Sequence, residues 1–302
     1  MKISIIGMGQ VGATLAYTLL LRELADELVL VDRNISIAEG EALDLEHAEA
    51  FTGHPVIVRA GSINETANSD IIVMCCSVPW NPNYKSRFEI GRDNLKIFRQ
   101  TVPSLAKASP KAKLLVITNP IDVMTYHAIK LSGFEANRVF GTGTLIDSAR
   151  FRTMLSKKMK IHPDDLRAYI LSEHGDSQFP VFSLAVAGGT RIVENDATME
   201  VFHKTTQAGF EIVNRKGHTS YAISMAAILV IEAIVWDTHR TMPLSVLING
   251  FLGIKDVCLS LPVVVGNNGV SQVLEPAFGP DEKNNFARCA KIIQDAIKLS
   301  LS

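Results

Sequence analysis

The chain has 302 residues, of which 47% are hydrophobic and 20% charged, with a formal net charge of −1. That length can bury a large core and accommodates two domains. The near-neutral balance excludes the basic field of a nucleic-acid binder, so an anionic ligand has to be held by local charges.

KISIIG, residues 2–7, is a short, continuously apolar run of the kind found in a buried parallel strand. QVGATLAYTLLLREL (10–24) has helical spacing, ELVLVD (27–32) is a second strand, and IAEGEALDLEHAEA (37–50) is helical. VIVRAG (56–61) and DIIVMCC (70–76) are further strands. VPWNPNYKSR (78–87) then interrupts the alternation with a loop that is costly to order, before the amphipathic RFEIGRDNLKIF (87–98). KLLVITNP (113–120) and RVFGTG (138–143) complete the strands. Strands alternating with helices predict an α/β fold with a parallel, doubly wound sheet over residues 1–142. Beyond it, helices are expected at 147–159, 198–217, 219–240 and 281–300, with a short strand at 259–266. This reads as a second, α+β domain over residues 143–302.

The apolar N-terminus superficially resembles a secretory signal. Glycines at 7, 9 and 12 cut it, and no A-x-A site follows. YAISMAAILVIEAIVW is broken by Ser224 and Glu232, so a buried helix is expected rather than a membrane span. Cys75, Cys76, Cys258 and Cys289 form no C-x-x-C pair and read as small buried thiols in a reducing, cytoplasmic setting. No metal-binding spacing of His and Cys occurs.

GMGQVG, residues 7–12, is a G-x-G-x-x-G that follows a strand and opens a helix. Gly7 allows the tight turn, Gly9 lets backbone approach a pyrophosphate, and Gly12 lets helix pack on strand. Asp32 ends the second strand 20 residues after Gly12, the spacing of an acid that holds an adenosine ribose. It would repel a 2′-phosphate, favouring NAD over NADP, with Arg33 beside it pulling the other way.

Three separated pieces could form one active site. LIDSAR carries Asp147 and Arg150, which share a helix face at i and i+3. LSEHGDSQFP carries His174 beside a glycine, and YKSR carries Arg87. A histidine, a carboxylate and two arginines could orient a substrate carboxylate and move a proton. Read on the residues alone, Asp147 and Arg150 could equally be a helix-surface pair, Arg87 a helix N-terminal charge and His174 structural.

At these residues the chain resembles the L-lactate/malate dehydrogenase family over essentially its whole length. The resemblance rests on GMGQVG, TNPID, GTGTLIDSARFR, SEHGDSQFP and KGHTSYAIS, in the same order and spacing. It implies a Rossmann domain followed by a catalytic domain, NAD as the cofactor, a small 2-oxo or 2-hydroxy acid substrate, and a homotetramer or homodimer. It implies that His174 donates and accepts the proton, that Asp147 holds the imidazole, and that Arg150 clamps the substrate carboxylate. Arg87 would be carried by a mobile loop to polarise the carbonyl, Asn119 would bond near the substrate oxygen and the nicotinamide, and Thr219 would line the pocket. Arg152 matches an arginine that binds a sugar bisphosphate in some bacterial lactate dehydrogenases. Arg167 stands where the companion histidine would be, so an anionic effector at Arg152/Arg167 is an expectation set against solvated surface charges.

Substrate choice in this family depends on the loop residue six positions before the polarising arginine, glutamine in lactate and arginine in malate dehydrogenases. Here it is Asn81, flanked by Trp80 and Pro82. Lacking a cation there, the chain is expected to favour pyruvate over oxaloacetate, since a second carboxylate would be enclosed without a partner. Asn81 is one methylene shorter than glutamine, which leaves room for longer 2-oxo acids. The alternatives are a malate or an L-2-hydroxyisocaproate dehydrogenase, and, in another class, a non-catalytic NAD-binding structural protein.

Overall fold

The computed structural model describes residues 1–79 and 87–301. Its N-terminal half runs β1 (Lys2–Ile6), α1 (Gln10–Leu21), β2 (Glu27–Val31), α2 (Ile35–Glu49), β3 (Ile57–Ala60) and β4 (Ile71–Met74). It continues with α3 (Arg87–Ala108), β5 (Lys113–Val116), α4 (Ile121–Ser132) and β6 (Val139–Gly141). These six strands are parallel and lie in the order β3-β2-β1-β4-β5-β6, the arrangement of a doubly wound dinucleotide-binding sheet. β1, β2, β4 and β5 are almost wholly buried, which explains why each reads as an unbroken apolar run rather than an alternation.

The second half begins with α5 (Leu145–Met159) and the short strands β7 (Leu166–Arg167), β8 (Ile170–Leu171), β9 (Phe179–Pro180), β10 (Val186–Ala187) and β11 (Thr190–Arg191). Two helices follow, α6 (Asp196–Lys216) and α7 (Tyr221–Val235). Then come β12 (Arg240–Asn249), β13 (Lys255–Gly266), β14 (Gly269–Val273) and the closing helix α8 (Pro280–Leu301). β12, β13 and β14 form an antiparallel meander that joins the parallel sheet where Ser245 of β12 meets Gly141 of β6. The result is one nine-stranded sheet spanning both halves.

The meander differs from the sequence expectation in two ways. The helix expected to reach residue 240 stops at Val235, because Asp237 and His239 take left-handed backbone angles (φ 49° and 53°). Asp237 also turns its carboxylate to accept the backbone N–H of Asn267, in the β13–β14 turn. The ten residues of β12 then form a strand that was not anticipated, because Pro243 interrupts the run. Pro243 sits opposite Pro262 of β13, so the two residues without an N–H face each other.

Apolar side chains fill both faces of the sheet. Leu15 and Leu19 of α1 and Ile231 and Ile234 of α7 pack on one face, and Phe98 and Val102 of α3 with Met124 of α4 pack on the other. Each large side chain with no exposed surface contributes roughly 1.5–3 kcal/mol. A smaller cluster, with Phe151 and Leu155 of α5 against Phe182 and Phe202, ties α5 to α6 and to the short strands. Burial raises the thiols of all four free cysteines, Cys76 to about 12. Among the described residues no helix is long and apolar enough to cross a membrane.

Candidate active site

The loop from β1 to α1 forms a cradle that tolerates no side chains at two positions. Gly7 has φ +101°, and a Cβ there would lie 2.6 Å from the backbone of Cys76. A Cβ on Gly12 would lie 2.0 Å from the carbonyl oxygen of Gly7. Gly9, by contrast, faces open space, with no heavy atom within 4 Å of a Cβ position. Gly9 is also the N-cap of α1 and supplies no capping side chain, and the first turn contains no acid. Backbone N–H groups at this helix start are therefore presented to a phosphate. Asp32, just past β2, accepts from the N–H of Met8 at 2.8 Å and from that of Asn34 at 3.0 Å. It thus braces the glycine loop, and its remaining lone pairs can take ribose hydroxyls. Cradle, open approach and acid all fit a dinucleotide.

The residues expected to be catalytic meet at the junction of α5 with the loop after β8. Leu145 to Ser148 of α5 are buried, so Asp147 points inward rather than to solvent, at 2% exposure. Its Oδ2 lies 2.5 Å from His174 Nδ1, and its Oδ1 lies 3.4 Å from Arg150 Nη1. The helix-surface reading of Asp147 and Arg150 therefore does not hold. Burial alone would raise the Asp147 carboxyl, but the charge and hydrogen bond of His174 and the Arg150 guanidinium outweigh it and hold the group below its usual range. The Arg150 guanidinium lies beside Gly209 of α6, where an added Cβ would be 3.5 Å from Nη1.

Several polar contacts hold β8, and hence His174, to α5. Thr144 Oγ1 and Ser148 Oγ both donate to the carbonyl of Ile170, at 2.6 and 3.0 Å. Ser172, at φ +77°, exchanges both backbone hydrogen bonds with Ser260 of β13. Glu173 is buried and accepts both the N–H and the hydroxyl of Ser177, closing the turn around His174. A Cβ on Gly175 would fall 2.2 Å from the Glu173 carboxylate and push that side chain aside.

Two residues that sequence reading had not singled out reinforce the site. Asn94 of α3 has no exposed surface; it accepts from Val78 N–H and donates to Ser77 Oγ and to the carbonyl of Asn119. It thereby ties Asn119 to the segment that leads into the expected loop. Asp122 of α4 accepts the backbone N–H of His174 at 2.9 Å and the hydroxyl of Ser245 at 2.5 Å. Burial pushes the Asp122 carboxyl up to about 7, against the pull of these two donors. The only hint of Asp122 in the sequence was its place in TNPID; nothing hinted at Asn94.

The remaining expected residues are distributed as follows. Thr219 occupies the turn between α6 and α7 and is partly buried. Asn81, with Trp80, Pro82 and Lys85, lies outside the described residues; so does the Arg87 side chain, although Arg87 begins α3. Arg152 is half-buried on α5, and its guanidinium is pushed down by burial and by Arg167 and Arg240 nearby. Arg167 is exposed and donates to the Asp164 carbonyl at 3.0 Å. Among the described residues no group of three His, Cys, Asp or Glu side chains could hold a metal ion.

Comparison with known proteins bears on the same features. Residues 1–141 match the family model of the lactate/malate dehydrogenase NAD binding domain. Residues 144–302 match that of the lactate/malate dehydrogenase alpha/beta C-terminal domain. An L-lactate dehydrogenase of Thermoanaerobacter sp. is 39% identical, with 98% of each chain covered. L-lactate dehydrogenase 1 of Clostridium acetobutylicum is 37% identical over 98% of this chain and 97% of its own. Among solved structures, a lactate dehydrogenase from a Medee basin deep-sea metagenome library superposes with a TM-score of 0.95, at 31% identity over 100% of this chain and 99% of its own. The minor L-lactate dehydrogenase of Enterococcus mundtii gives 0.94 at 32% identity, over 99% and 98%. By its cradle, its fold and these relatives, the chain belongs to the lactate/malate dehydrogenase family, NAD-dependent oxidoreductases of 2-hydroxy acids.

Proposed function

We propose that the chain is an L-lactate dehydrogenase that interconverts pyruvate and L-lactate and tolerates longer 2-oxo acids. The observation that carries the reading is the contact of Asp147 with both His174 and Arg150. Asp147 meets Nδ1 of the imidazole, which assigns the proton exchange with substrate to Nε2. When bound, NADH supplies the hydride to the carbonyl carbon. As negative charge develops on the carbonyl oxygen, protonated His174 neutralises it. Asp147 stabilises the imidazolium until the proton is given up. Arg150 offers a planar fork that matches the flat substrate carboxylate. Arg87 is assigned the polarising role, Asn119 the contact near the nicotinamide, and Thr219 a place in the pocket wall, all by their family motifs.

Pyruvate is favoured because Asn81 brings no cation to a second carboxylate, and because the relatives at 37–39% identity carry the name L-lactate dehydrogenase. Two domains, 1–142 for cofactor and 143–302 for substrate, are the corresponding division. Exposed apolar side chains on α1, α2 and α7, such as Leu21, Leu43 and Met225, support a homo-oligomer, a tetramer or dimer. Four free thiols suit a reducing cytoplasm. Arg152, with Arg167 and Arg240 near it, supports an anionic effector there.

The test is kcat/KM with NADH for pyruvate, 2-oxoisocaproate and oxaloacetate. Pyruvate is expected to lead. A preference for oxaloacetate would refute the reading of Asn81, and NADH binding without turnover of any 2-oxo acid would favour a structural role.

A further inference from the structure

We propose that Asp122 is a positioning residue for the reaction, holding the backbone of His174 against β12 so that the imidazole meets both Asp147 and the substrate. The inference rests on the proton-transfer role assigned to His174 above.

Asp122 stands in the first turn of α4, where an acid commonly points outward to interact with the helix dipole. Here the carboxylate is instead 2% exposed. One oxygen accepts from the His174 N–H at 2.9 Å and the other from Ser245 Oγ at 2.5 Å. No lysine or arginine pairs with it among the described residues; the titratable groups that face it are Glu173, His174 and Cys258, of which only the His174 charge pulls it down. Burying a carboxylate for two neutral donors is costly, and burial accordingly pushes this group up to about 7.

What Asp122 joins gives the reason. α4 follows directly on Asn119, the segment expected at the nicotinamide. Ser245 pairs with Gly141, at the end of the strand that leads into α5 and Asp147. The third partner is the histidine itself, reached just after Ser172 at φ +77°. One carboxylate therefore fixes the three segments that supply Asn119, Asp147 and His174.

The test compares wild type, Asp122→Asn, Asp122→Ala and Ser245→Ala by kcat and KM for pyruvate, by NADH affinity, and by amide hydrogen exchange at His174. Asparagine can still accept from the His174 N–H while its amide donates to Ser245, so Asp122→Asn should keep kcat within about threefold of wild type. Asp122→Ala should lose kcat by about 10- to 100-fold, with NADH affinity unchanged and faster exchange at His174. A kcat for Asp122→Ala within about twofold of wild type, or an Asp122→Asn as impaired as the alanine variant, would overturn the proposal. Should Asp122→Ala fail to fold, Ser245→Ala decides: kcat lower by about 3- to 10-fold with faster exchange supports it, and no change in either refutes it. Exchange at His174 requires no turnover, so it reports on the contact even if the wild type reduced no 2-oxo acid.

Discussion

Replacing Asp147 by asparagine keeps the shape of the catalytic cluster and removes its buried charge. The carboxylate is 3% exposed and 2.5 Å from His174 Nδ1, so little solvent screens the pair. The imidazolium charge lowers the Asp147 carboxyl, and by reciprocity the carboxylate stabilises the imidazolium. An opposite charge within hydrogen-bonding range of a titrating group typically moves its protonation by about 1–3 pK units. In the role proposed for it, His174 must be protonated for pyruvate reduction. The alkaline limb of kcat/KM in Asp147→Asn should therefore move down by about 1–3 pH units. Measured above both limbs, reduction should fall about 10- to 1000-fold, and it should recover partly as pH is lowered. Lactate oxidation needs the neutral ring, so its acid limb should move down by the same amount. The assay is the pH profile of kcat/KM in both directions, with NADH affinity as control. Coincident limbs for variant and wild type would refute the electrostatic role of Asp147 and leave it only a steric one.

Other substitutions test other parts of the site. Arg150→Lys should raise KM for pyruvate by about 10- to 100-fold, since one ammonium cannot reproduce two parallel hydrogen bonds; an unchanged KM and kcat/KM would rule out the clamp. Gly12→Ala would drive a Cβ to 2.0 Å from the Gly7 carbonyl oxygen, so about 1–3 kcal/mol of stability and much of the NADH affinity should be lost. Asn81→Arg should shift kcat/KM toward oxaloacetate by pairing its distal carboxylate, and steady-state rates on oxaloacetate and pyruvate would show it. Acid unfolding supplies a further check. Because the folded chain holds Asp147 below its ordinary 3.8, the unfolded chain binds more protons in that window. The stability this brings is present above 3.8 and is lost as pH falls through the folded value. Asp147→Asn should flatten that part of the stability curve.

The features legible in the sequence were those encoded over short separations. The glycine motif, its strand and helix, and Asp32 fall within one βαβ unit of about 30 residues, and their spacing carries the geometry. Asp147 and Arg150 sit three apart on one helix, and their shared face was readable; that the face is buried was not. β12 escaped because an apolar helix runs into it and Pro243 breaks its pattern, while Pro262 opposite shows why a proline is tolerated there. Asp122 and Asn94 escaped for a different reason. Asp122 meets partners 52 and 123 residues away, and no local pattern distinguishes it from a helix N-terminal acid. The family resemblance supplied roles for single residues, not the contacts that hold them in place.

The continuous sheet explains why such long-range contacts matter for this chemistry. The residues expected to hold the cofactor lie at the carboxyl ends of parallel strands, in the loops after β1, β2 and β5. The histidine to which we assign proton transfer, His174, comes from the other half of the chain, after the two-residue strand β8, which is too short to fix its position alone. Its register is borrowed instead: Ser172 pairs with Ser260 of β13, and the His174 N–H is taken by Asp122 beneath β12. Because β12 joins β6 edge to edge, the histidine is referenced to the same sheet that presents the cofactor. Hydride and proton transfer require their donors in register to a fraction of an ångström, and a shared sheet supplies that more rigidly than two halves meeting through side chains alone. Polar residues buried along this seam, Ser245, Ser260, Thr144, Ser148 and Asp122, thus spend burial energy on alignment.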